Sequence, residues 1–71
     1  MLRKGVYKIS KIAQERKARG MTQEQLAQIS GVHRVTIARI ESGEISPNLR
    51  TLERLAEAMG VTVGELIEKA G

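Results

Sequence analysis

The chain has 71 residues, with twelve Lys/Arg against eight Asp/Glu, a net charge of +4, one histidine, one aromatic residue and no cysteine. That length makes one domain with a modest aliphatic core, and the missing cysteines exclude a disulfide framework and a thiolate metal site. No apolar run reaches the roughly eighteen residues of a membrane span, and a lone histidine with no nucleophile-bearing carboxylate pair argues against an enzyme, a cofactor or a metal.

The charge is uneven along the chain. Residues 1–20 carry seven Lys/Arg and one acid, whereas residues 44–71 carry three bases and five acids. A basic front half suits a polyanion, and an acidic back half suits a surface turned away from it. Taken alone, the same numbers also describe ordinary solubilising charge. Tyr7 is the only aromatic residue, which argues against a platform for stacking single-stranded bases.

Residues 1–6 read as a flexible basic segment, in which Arg3 and Lys4 either fray or lie along a phosphate backbone. A single domain is expected over residues 7–70. Its first helix is predicted from about Tyr7 to Arg19, with Ile9, Ile12, Ala13 and Arg16 on the i, i+3, i+4, i+7 stripe and Gly20 as the stop. Arg16 therefore falls on the inward stripe, an odd place for a charge.

The second helix is predicted over about 23–30. Thr22-x-x-Gln25 is a capping box, Met21 and Leu26 form a hydrophobic staple, and Gly31 stands where a helix end needs a left-handed residue. A third helix follows over about 34–42, with His33 at the cap position, Val32 and Ile37 as a second staple, and Gly43 beyond its end. At about 100° per residue, Ile37 and Ile40 face one way, and Arg34, Val35, Ala38, Arg39 and Ser42 occupy the opposite arc. An arginine fork can donate to guanine O6 and N7, and a small apolar group can touch a thymine methyl. A solvated charged face is the plainer reading of that arc by itself.

Ser46-Pro47 is expected to open a fourth helix over about 47–59, with Leu49, Leu52, Leu55, Ala56 and Met59 as its core stripe and Gly60 as its stop. Thr62-x-x-Glu65 opens a fifth helix over about 63–69, with Val61 and Leu66 as its staple. Leu66 and Ile67 either pack on the core or form a self-association patch. No strand signal is seen.

The string Thr22-Gln23, Leu26-Ala27, Gly31-Val32, Thr36-Ile37, Arg39-Ile40-Glu41 and Gly43 resembles the helix-turn-helix of the Cro/repressor-type (XRE-like) DNA-binding family. The likeness extends from about Ile9 to Leu66 and fixes both residue types and spacing. His33 departs from it, because the family usually has Ser or Thr there and histidine is a poorer cap.

The resemblance implies an all-α, five-helix, lambda-repressor-like bundle. It implies that the fork of Arg16 pairs with Glu41. The expected function is a sequence-specific double-stranded DNA-binding transcriptional regulator, a repressor acting as a homodimer on a palindromic operator and located in the cytoplasm of a prokaryotic or phage system. Arg34, Val35, Ala38 and Arg39 would contact bases. Gln23, His33, Thr36, Ser42 and Asn48 would contact phosphates, although His33 can instead cap or cover its helix end. An antitoxin or protein-interaction module of the same fold, with a toxin or other protein partner, is the alternative.

Overall fold

Side chains and glycines set the ends of five helices. The computed structural model describes the backbone of Tyr7–Lys8 and of residues 11–69, and side chains over residues 11–67. The helices are α1 (Lys11–Ala18), α2 (Gln23–Ser30), α3 (Arg34–Glu41), α4 (Leu49–Met59) and α5 (Val63–Leu66). The Thr22 hydroxyl accepts from the Gln25 N–H at 3.0 Å, and the Gln25 carboxamide accepts from the Thr22 N–H at 2.8 Å. Both halves of the expected capping box are thus made. Thr62 and Glu65 repeat the arrangement at α5. The Thr62 N–H and hydroxyl hold the Glu65 carboxyl below its ordinary pKa. Gly31, at φ +78°, ends α2 in the left-handed region that a side chain resists.

The core is aliphatic. Ile12, Leu26, Ile37, Ile40, Leu55 and Leu66 are fully buried, with Val32, Leu52, Ala56 and Met59 around them. Packing α2 against both α3 and α4 builds the centre, and α5 closes on α1 and α4. Leu66 is thus a core residue, not part of a surface patch, and Ile67 packs against the same cluster.

The structure corrects four expectations. The first helix begins at Lys11 instead of Tyr7. Tyr7–Lys8 is a short strand, β1, paired antiparallel with β2 (Glu68–Lys69), with Tyr7 opposite Lys69 and Lys8 opposite Glu68. Local periodicity cannot reveal that pairing, because each strand's partner is about sixty residues away. For the same reason the fifth helix stops at Leu66: Ile67 turns extended, at φ −108° and ψ 125°, and leads into β2. Finally, α4 starts at Leu49 because the Asn48 side chain, not that of Ser46, caps it, accepting from the Thr51 N–H at 2.8 Å. Leu49 consequently stands in the first turn, 63% exposed, and leaves the core stripe it was assigned. Ile9 lies outside the described residues.

Candidate nucleic-acid interface

α3 is held in one rotational setting. Ile37 and Ile40 are 0% and 1% exposed, so the opposite arc must face outward. Arg34, Val35, Arg39 and Ser42 are exposed there, while Ala38 and Thr36 are half-buried beside them. Among the described residues, neither the Arg34 nor the Arg39 guanidinium has a hydrogen-bond partner, whereas Arg16 and Arg19 both do. The Ser42 hydroxyl donates its single proton to the Arg39 carbonyl at 3.0 Å, so it must turn away from that carbonyl before it can donate to another acceptor.

His33 occupies the N-cap of α3 without a side-chain capping bond. It is exposed and borders a shallow cleft lined by Glu24, Ala27, Gln28, Gly31, Val32 and Arg34. The capping role weighed for it is therefore absent. The turn is stabilised instead by the Ser30 hydroxyl, which accepts from the Val32 N–H at 3.1 Å.

The expected pair between Arg16 and Glu41 is present and carries more than was expected of it. Arg16 Nε donates to Glu41 Oε2 at 2.7 Å, Nη2 donates to Oε1 at 3.0 Å, and Nη1 donates to the Met21 carbonyl at 2.7 Å. Both side chains are less than one-tenth exposed, at 9% and 8%. One planar fork thus satisfies α3's last residue and the turn before α2 together. Burial pushes the Glu41 carboxyl up, but donation from Arg16 and Gln23, helped by the charges of Arg16 and Lys17, outweighs it and holds the carboxyl below its ordinary value. The hydrogen bond to Glu41, opposed by burial, raises the Arg16 guanidinium.

Gln23 brings a feature that the sequence did not reveal. Its amide Nε2 donates to Glu41 Oε1 at 3.0 Å, so the same carboxylate that anchors α1 also orients the first side chain of α2. One amide hydrogen is engaged there and the second is left for another acceptor. Asn48 is similarly half-engaged: its carboxamide oxygen caps α4, and its NH₂ group keeps its donors.

Arg19, one of the seven bases of residues 1–20, is engaged internally: its Nε donates to the Met59 carbonyl at 2.7 Å and its Nη1 to the Glu15 carboxylate at 2.6 Å. It serves the C-terminal end of α4, whose last carbonyls lack helical partners. The 15/19 spacing of an acid and a base signals the second contact, but nothing local signals the first. Among the described residues there is no cluster of metal-ligating side chains, and no helix is long and apolar enough to cross a membrane.

Comparison with known proteins agrees with this geometry. The helix-turn-helix family model (HTH_3) matches residues 12–66. An uncharacterized HTH-type transcriptional regulator of Methanothermobacter thermautotrophicus is 47% identical over 49 residues, covering 69% of this chain and 71% of its own length. The control protein C.SmaI of Serratia marcescens is 41% identical over 56 residues, covering 79% of this chain and 67% of its own. Among solved structures, the restriction-modification controller protein C.AhdI from Aeromonas hydrophila superimposes with a TM-score of 0.79 at 32% identity, over 83% of this chain and 91% of that one.

Proposed function

The chain belongs to the helix-turn-helix family, and we propose that within it this protein is a sequence-specific double-stranded DNA-binding regulator that reads the major groove with α3. The observation that carries the reading is the pair of arginines without a hydrogen-bond partner among the described residues, beside an exposed valine, on a helix whose rotation Ile37 and Ile40 fix. Arg34, Val35 and Arg39 contact base edges, with Ala38 as a smaller apolar contact. Gln23, His33, Thr36, Ser42 and the NH₂ group of Asn48 hold phosphates, setting register and much of the affinity. Repression is the proposed outcome, since a protein seated in the groove blocks others from the same DNA.

A pair of chains is part of the proposal, for a reason of length. The eight residues of α3 span about 12 Å, or three to four base pairs at about 3.4 Å each. So short a word recurs by chance too often to mark one site. Two copies related by a two-fold axis read a palindrome with half-sites about one helical turn apart.

Selection of bound duplexes from a random pool, with stoichiometry measured on the winner, tests the proposal. A palindromic consensus bound by two chains is the expected result, and equal binding of enriched and scrambled duplexes overturns it. Gln23→Ala separates the two contact classes. Its loss, about 1 kcal/mol, should be the same on cognate and scrambled duplexes in a titration, because a phosphate carries no sequence information.

A further inference from the structure

Four large apolar side chains are exposed among the described residues, and only Val35, at 48%, lies on the outward arc of α3. Taking Arg34 as zero, Val35 falls near about 100° and Arg39 near about 140°, with Ala38 at about 40°. Val35 therefore stands within the arc that the two arginines bound. Arg34 and Arg39 are about 7.5 Å apart along the axis, roughly two base-pair steps. A valine in a helix has one strongly preferred χ1 rotamer, so its methyl groups are already ordered before any contact forms.

Valine has no hydrogen-bonding group. It cannot sense whether position 4 of a pyrimidine carries an oxygen or an amino group. The only major-groove feature it can favour is the methyl at C5, which thymine has and cytosine lacks. The same methyl is present in 5-methylcytosine.

Resting on the DNA-binding reading above, we propose that Val35 recognises the 5-methyl group of a pyrimidine flanked by two G·C pairs that Arg34 and Arg39 read. Thymine and 5-methylcytosine are both accepted at that position, and uracil and unmodified cytosine are both disfavoured. Occupancy of a site with cytosine there then rises when that base is methylated. The methylation state of the DNA becomes an input to this regulator.

The test uses the full chain and the duplex recovered by selection. Each thymine is replaced singly by deoxyuridine, and the position found is then refilled with cytosine or 5-methylcytosine. Wild type and Val35→Ala are titrated in parallel, with circular dichroism confirming that the exposed substitution leaves the fold intact. With wild type, one position per half-site should lose about fourfold in affinity on removal of the methyl, and 5-methylcytosine should bind more tightly than cytosine there. With Val35→Ala those differences should shrink, because alanine lacks both γ-methyl groups, and preference over a scrambled duplex should be weakened but kept at the positions read by Arg34 and Arg39. The inference is overturned if wild type prefers the selected duplex but no position shows a methyl effect that depends on Val35. If wild type shows no such preference, the DNA-binding reading itself falls.

Discussion

Arg16→Ala is expected to lower the stability of the fold by about 3–5 kcal/mol, the range for removing one partner of a buried ion pair. Two consequences add. Glu41 keeps only the Gln23 amide as a donor at a site where its side chain is 8% exposed, and the Met21 carbonyl loses the guanidinium. A domain this small has roughly 5 kcal/mol in all, so only about 0–2 kcal/mol would remain and the variant should be marginally stable near room temperature, at worst about half unfolded. Urea denaturation followed by circular dichroism measures it, and a loss under about 1 kcal/mol would mean the pair behaves as a solvated one. Arg16→Lys should fall between, since one ammonium cannot serve both carboxylate oxygens and the carbonyl with the fork's fixed geometry. The same pair gives the acid side of the stability curve. The Glu41 carboxyl titrates lower in the fold than in the open chain. Its contribution is complete above the ordinary glutamate range and is lost as pH falls through that range and then through the lower folded value. Glu41→Gln should flatten that limb.

Arg39→Ala should cost about 1–3 kcal/mol of binding to the selected duplex and relax preference at one base pair in each half-site. Stability should barely move. The side chain is exposed, and the backbone carbonyl of residue 39, which accepts from Ser42, Glu44 and Ile45, is retained in the variant. Competition against single-base variants of the duplex checks the prediction. A loss spread evenly over every variant would make Arg39 a phosphate contact and not a reader of bases. Together the two substitutions separate building the interface from reading with it, because Arg16 lies behind α3 and Arg39 in front of it.

What could be read from the sequence was whatever neighbouring residues decide. Thr22, Gln25 and Gly31 set both ends of α2 through bonds spanning a few positions, and the wheel of α3 needed only the placement of Ile37 and Ile40. The Arg16–Glu41 pair spans 25 residues, and only the family pattern pointed to it. The features that escaped depend on competition or on distance. Ser46 and Asn48 are both competent caps, and nothing local says which will win. The β1–β2 pairing and the bond from Arg19 to Met59 join segments that meet only after the bundle has formed. The Gln23 amide was assigned wholly to an external phosphate because its internal acceptor belongs to another helix.

The pairing of Tyr7–Lys8 with Glu68–Lys69 has a topological consequence. Among the described residues the backbone is almost a ring, because Tyr7 and Lys69 lie side by side. Joining Lys69 to Tyr7 through a short peptide and opening the chain instead between Gly43 and Ser46 would interrupt none of the five helices. A circular permutant of this kind keeps the recognition rod and its supports, and places the new ends on either side of the loop that follows it.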